Sequence, residues 1–315
     1  MINRVQKWGS YLIQTREGEC ALSAQSIQKK YLPVIRKAFS DDLKITSFIP
    51  MKLGMTNDSF IFSCGSGSFI LRLPGRGSEA LINRKQEYEV YQLLADRGIA
   101  DEVLYFDPET GIKISRYMEN ARVCDPHSKS DLSECMRVLR DFHALNLRID
   151  HIFDPWERLE YYESLRGDMP SRYDDYAQTK ETIRDLYEWT QEQPRHVILA
   201  HIDPVSDNFI FMPDGEVRLI DWEYAAMQDK DIDVAMFAVY SLLDKELVDC
   251  LIRFYQNGVE DRLQKKKIYA YIAIAGLVWS NWAEFKLNNG DVLGEYAPGQ
   301  YRFAKDYSAY FYAFE

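Results

Sequence analysis

Three oxygen-bearing side chains stand at a spacing that could do chemistry. Asp203 and Asn208 lie in the segment His201-Ile202-Asp203-Pro204-Val205-Ser206-Asp207-Asn208, and Asp221 in Leu219-Ile220-Asp221-Trp222-Glu223-Tyr224. Between them sits Asp214-Gly215, a strong signal for a two-residue hairpin turn. A type I′ turn there sets Asn208 directly opposite Asp221. Cross-strand neighbours have Cβ atoms about 4.5–5.5 Å apart, near enough for an amide oxygen and a carboxylate to share magnesium ions. Magnesium favours such hard donors, with phosphate oxygens completing its shell. Asp203 sits in a loop that leaves the apolar run 197–200, so a carboxylate able to accept a hydroxyl proton stands beside the metal pair. Those are the groups that phosphoryl transfer to a hydroxyl needs. A lone His-x-Asp or Asp-Gly is ordinarily structural; the order and convergence of the whole set carry the reading. His201 is expected to brace the loop through backbone hydrogen bonds.

Positioning these residues takes a strand-rich region followed by a helical one. Apolar runs at 43–49, 59–64 and 69–73 read as strands, and Tyr88, Tyr91, Leu94 and Ala95 mark a helix over about 81–97. Beyond Asn120 helices dominate. Asp131 with Glu134 resembles a capping box, and further helices are expected over 161–166, 179–190 and 268–286. Strands at 209–212 and 217–220 form the hairpin between them. The expected plan is α+β and two-lobed, with residues 1–42 a helical segment on the small lobe, 43–118 the small antiparallel-sheet lobe and 119–315 the larger helical lobe.

Composition narrows the partners. The chain has 315 residues, with 38 basic against 49 acidic side chains and a net charge of -11. That balance argues against nucleic acid, whose binding depends on Lys and Arg neutralising phosphates, and favours cationic small molecules. No secretory signal or bilayer-length apolar run is evident, and five scattered cysteines suggest no disulfide framework, so a cytoplasmic enzyme without membrane partners is expected.

The motif His201-x-Asp203-x4-Asn208, followed by Ile220-Asp221-Trp222-Glu223-Tyr224 and Asp231-Ile232-Asp233-Val234-Ala235, resembles the kinase-like phosphotransferases of small molecules. Its extended form is most similar to the choline/ethanolamine kinases, especially bacterial ones. The resemblance spans about Leu53 to Tyr301 and implies a protein-kinase-like fold using ATP and Mg2+. By it, Asp203 is the catalytic base, Asn208 and Asp221 are magnesium ligands, and Glu223 is a further acidic group near the metals.

The nucleotide side follows the same resemblance. Leu53-Gly54-Met55-Thr56-Asn57 is similar to the phosphate-covering turn of choline kinases, which points to Thr56 and Asn57. Arg72, on the strand face opposite Phe69, Leu71 and Leu73, corresponds to the phosphate-binding strand cation of kinases. Glu87 shares a helix face with Tyr91 and Leu94, so it should point inward to meet Arg72. The bland alternative is an exposed pairing of Glu87 with Arg84. The backbone at Tyr117 and Met118, where the texture turns helical, is placed against adenine.

On the acceptor side, Trp279 and Trp282 share one helix face, with Tyr301 further on, and two such tryptophans are often simply core. An aromatic box nevertheless suits a quaternary ammonium, which cannot donate a hydrogen bond, and choline kinases have a similar Trp-x-x-Trp and tyrosine. Tyr240 stands where many relatives carry an acid, and it offers another aromatic wall or signals a different amine. Choline is the favoured acceptor, with ethanolamine, another amino alcohol or an aminoglycoside behind it. A non-catalytic pseudokinase would be expected to lack Asp203, Asn208 or Asp221, and all three are present.

Overall fold

The computed structural model describes residues 24–53, 57–75 and 78–314. The chain packs as two compact units and passes back and forth between them. One comprises the described residues up to 151 together with 201–226; the other comprises 152–200 and the described residues from 227 onward.

The first unit opens with helix α1 (Ala24–Ala38) and strands β1 (Ser47–Leu53), β2 (Asn57–Cys64) and β3 (Gly67–Pro74). After α2 (Arg84–Leu94) come β4 (Val103–Phe106) and β5 (Lys113–Arg116). The five strands form an antiparallel sheet in the order β1-β2-β3-β5-β4. Alternation along β2 and β3 sends Phe60, Phe62, Phe69 and Leu71 to one face, where Ile35 of α1 closes the core. Arg72 takes the opposite face. The sequence signal placed the start of α2 too early, because Asn83 caps it, accepting the Lys85 and Gln86 N–H groups.

The unit continues through β6 (Arg122–Val123) and α3 (Lys129–Ala144). Asp131 is not the cap of α3. Ser128 is, accepting the Asp131 N–H at 3.3 Å, while the Asp131 carboxylate turns outside the helix to Arg122 and the Asp125 N–H. The competing partners decided which residue capped.

The chain then enters the second unit as α4 (Pro155–Ser164), α5 (Tyr176–Glu192) and β7 (Val197–Ala200). It returns to the first for β8 (Phe209–Phe211) and β9 (Val217–Leu219), which form a small sheet in the order β6-β8-β9. Strand β10 (Ala226–Asp229) pairs with β7, and α6 (Asp231–Tyr240), α7 (Lys245–Tyr255), α8 (Arg262–Asn288) and α9 (Tyr296–Tyr312) complete the second unit. Sheet and helices segregate along the chain, so the expected α+β class holds.

Helix α8 is buried without interruption from Lys267 to Glu284, as befits a helix surrounded by others. No helix of the described residues is long and apolar enough to cross a membrane. Gly276 marks a close approach of α8 to α9. A Cβ there would lie 2.6 Å from the Ala304 nitrogen and 2.8 Å from the Gln300 oxygen, both backbone atoms of α9. Gly276→Ala should therefore destabilise the protein by about 1–3 kcal/mol through overpacking, although alanine is favoured in an isolated helix by about 1 kcal/mol. A lower urea midpoint with unchanged slope would show this; a raised midpoint would mean the helices part without cost.

Candidate active site

The hairpin carries the site in a register one residue away from the expected one. Phe209, Ile210 and Phe211 face Leu219, Arg218 and Val217, and the Ile220 N–H donates to the Asn208 carbonyl at 2.9 Å. Asn208 therefore faces Ile220, not Asp221. The cause is the turn. Gly215 N–H donates to the Met212 carbonyl, which makes Pro213 the second residue of a four-residue turn, where its fixed φ is favoured. Gly215, at φ +92°, completes a three-residue loop in place of the two-residue one. Asp221 lies just past the strand at φ +66°, a left-handed conformation that aspartate tolerates.

Asn208 also fixes the loop before it. Its Nδ2 donates to the Asp203 carbonyl at 2.9 Å, and the Val205 N–H donates to the same oxygen at 2.8 Å. Ile202, fully buried, holds φ +68°. A β-branched residue in that region is a true outlier, and such strain costs on the order of 1–3 kcal/mol. His201, also fully buried, contacts the Ile220 carbonyl through Nε2 at 3.0 Å, and packs with Trp222 at 4.4 Å between ring centroids. It braces the loop, as its type and place suggested.

Around Asp221, whose side chain stays 31 % exposed, the first unit gathers a largely buried set of charges. Arg72 forms ion pairs with Glu87, with Asp221 at 2.9 Å and with Glu223 at 3.6 Å. Arg84 is not on an exposed helix face. Its side chain is 9 % exposed and pairs with both Glu87, at 2.8 Å, and Glu223, at 2.9 Å. Asn57 Nδ2 donates to Glu223 at 2.8 Å. Lys113, opposite Arg72 across the strands, contacts the Tyr91 hydroxyl and lies 3.5 Å from Asp101. Sequence alone offers Arg84 only as an exposed partner of Glu87 and does not point to Lys113. The i, i+3 spacing of Arg84 and Glu87 was the only available hint of the first.

The electrostatics follow from this crowding. Burial opposes the charge of Arg72, but Glu87, Asp221 and Glu223 more than offset it and hold the guanidinium protonated well above its ordinary range. Burial would raise Glu87, yet Arg72, Lys113 and Arg84 pull it below the usual carboxylate value. Asp221 goes the other way. Removal from bulk water and then Glu223 push it up to about 7, against Arg72 and Lys113. Two carboxylates sharing one small volume repel. Among the described residues, Glu87, Asp221 and Glu223 each place one oxygen within 4.8 Å of the others, a hard-donor set that suits a divalent cation.

Thr56 lies outside the described residues. Met118 lines a cavity of about 790 Å³, with Tyr88, Tyr91, Phe106 and Met212 among its walls. The Tyr117 N–H is spent on the Ser68 carbonyl at 3.0 Å.

The second unit brings three of the four acceptor-side aromatics together. Tyr240 and Trp279 approach to 4.9 Å between ring centroids, and Trp279 meets Trp282 edge-on at 6.3 Å. The tryptophans are 3 % and 4 % exposed, so in this structure the rings cover one another. Tyr301 stacks instead on Tyr173 at 3.7 Å, its hydroxyl tied to Thr179 and Asp175. Tyr173 was not visible as a partner from sequence.

The chain matches known proteins over most of its length. The family model for choline/ethanolamine kinase matches residues 48–272. Protein LicA of Haemophilus influenzae is 27% identical over 256 residues, covering 77% of this chain and 94% of its own. The crystal structure of choline kinase LicA from Streptococcus pneumoniae superposes with a TM-score of 0.76 at 28% identity, covering 89% of this chain and 99% of that one. A structure of LicA in complex with AMP matches at the same TM-score and identity, covering 91% and 98%. With its kinase-like fold and a family match over well more than half its length, the chain belongs to the choline/ethanolamine kinase family, whose members use ATP to phosphorylate an alcohol.

Proposed function

We propose that this chain is a choline kinase, transferring the γ-phosphate of ATP to the choline hydroxyl with Mg2+ as cofactor. Residues 43–118 serve as the nucleotide-binding lobe and 119–315 as the catalytic and acceptor-binding lobe. The observation that carries the reading is the cluster in which the partly exposed Asp221 meets the buried Arg72, Glu87 and Glu223, tied through Ile220 and Asn208 to the Asp203 loop. The relatives named choline kinase support the choice of acceptor.

Arg72, held by Glu87, binds the phosphates, with Thr56 and Asn57 beside them and the chain at Tyr117 and Met118 against the adenine. Asn208, through its carboxamide oxygen, with Asp221 and Glu223 would hold Mg2+, which when bound neutralises phosphate charge. Asp203 accepts the proton of the choline hydroxyl as the hydroxyl oxygen bonds to the γ-phosphorus. The bond from that phosphorus to the bridging oxygen breaks, and ADP leaves.

Tyr240, Trp279 and Trp282, with Tyr301 stacked on Tyr173, receive the ammonium head. Trimethylammonium has no N–H donor, so aromatic faces can surround it without stranding a hydrogen bond. A primary ammonium brings three donors that indoles cannot satisfy, and stripping its water is costly. Catalytic efficiency should therefore rise with each N-methyl group from ethanolamine to choline. Trp282→Phe should raise the choline KM several-fold, within the about 0.5–2 kcal/mol range of a cation–π contact, with the ATP KM unchanged. Equal efficiency for ethanolamine and choline would remove choline as the acceptor and leave the kinase chemistry standing.

A further inference from the structure

Arg84 is built into the charge cluster with more care than a helix-surface cation requires. It opens α2, and its aliphatic stem passes Gly111, where a Cβ would lie 2.8 Å from Arg84 Cγ and Cδ and 2.8 Å from Pro74 Cγ. Gly111 holds φ +70°. The chain before β5 thus leaves a slot that only glycine leaves open. At the far end the guanidinium is fully spread. Nη1 donates to Glu87 Oε2 at 2.8 Å and to Glu223 Oε2 at 2.9 Å, and Nη2 donates to Asn57 Oδ1 at 2.8 Å and Ser78 Oγ at 3.4 Å. Asn57 Nδ2 donates to the same Glu223 oxygen at 2.8 Å.

Glu223 Oε2 is therefore claimed by Arg84 and Asn57, while Glu223 also belongs to the oxygen set that fits a divalent cation. A dication and a guanidinium on one carboxylate repel each other. Arg72, Arg84 and Lys113 supply three positive charges against the four negative charges of Glu87, Asp221, Glu223 and Asp101. Adding a dication leaves the cluster positive and short of anions. A polyphosphate supplies them, and a planar fork of donors is the group best matched to phosphate oxygens.

We propose that Arg84 is a second polyphosphate-binding residue that exchanges partners. Without nucleotide it holds Glu223 in place; with metal and nucleotide, Glu223 turns to the cation and Arg84 turns its Nη groups to a phosphate oxygen beyond the α position. Glu87 stays with Arg72 throughout. The proposal rests on the reading of this cluster as the nucleotide-phosphate site.

The test measures binding of ATP, ADP and AMP, with Mg2+ and with EDTA, by titration calorimetry on the full chain, alongside thermal unfolding. Arg84→Lys keeps the charge and loses the fork. It should weaken MgATP by about tenfold or more, the worth of a charge-assisted hydrogen bond, and leave AMP unchanged. Gly111→Ala touches no charged group but displaces the stem, and should reproduce the ATP-selective loss. If both variants fold and bind ATP as the parent does, or lose ATP and AMP equally, Arg84 only pins α2 and the proposal fails. Arg72→Met separates the two levels: if it too leaves ATP affinity unchanged, the cluster is not the phosphate site at all.

Discussion

Asp203→Ala is expected to lower turnover by about 10²–10⁴-fold, the usual contribution of a positioned general base, with ATP affinity close to that of the parent. The expectation rests on which atoms hold the loop. Asn208 Nδ2 and the Val205 N–H both bond to the Asp203 carbonyl, an atom any residue at 203 supplies, so removal of the carboxylate leaves those bonds intact. Asp203→Asn, nearly identical in shape, should be as impaired, because an amide cannot take the proton. Single-turnover rates with saturating ATP and choline check this directly. Turnover within about tenfold of the parent, equivalent to less than ~1.4 kcal/mol of barrier, would remove Asp203 from the role of base.

The largest stability effect is expected at Glu284. This residue is 1 % exposed on α8, and its carboxylate accepts from the buried Arg166, from Ser171 Oγ at 2.9 Å and from the Arg172 N–H at 2.6 Å. Arg166 also lies over the Tyr176 ring at 4.5 Å. Glu284→Ala leaves a buried guanidinium without its main counter-charge and should cost about 3–5 kcal/mol. Removing both partners, as Glu284→Leu with Arg166→Met, should recover much of the loss, since a well-packed apolar pair is often as stable as the ion pair. Urea unfolding of Glu284→Leu, Arg166→Met and the double variant gives the coupling energy. Additive losses would show that the pair is not coupled. The same carboxylate ties the α4–α5 connection to α8, and that connection carries Tyr173 to its stack on Tyr301.

The sequence carried the hairpin and its place in the chain, because Pro213, Asp214 and Gly215 can only make a turn between two apolar runs. It did not carry the register. Asp-Gly favours a two-residue loop, but a preceding proline draws the turn back by one residue, and both patterns were present. Core strands were legible from alternation, as with Phe60 and Phe62 facing inward together. The inward aim of Glu87 was legible from its face of α2. The burial of Arg84 was not, since helical spacing reveals the neighbour at Glu87 but not Glu223, which is 139 residues away, or the slot made by Gly111. Pairings such as Tyr173 on Tyr301 are tertiary and leave no local trace.

The left-handed turn at Ile202 constrains how this chain can be changed. Its backbone asks for glycine, whereas its fully buried side chain asks for a branched aliphatic residue, and no single amino acid meets both demands. A glycine there would relax the backbone but open a cavity and loosen the neighbouring Asp203. Efforts to make the protein more heat-resistant would therefore gain little at this position. They are better directed to the rest of the fold, whose surplus stability is what keeps the turn in place.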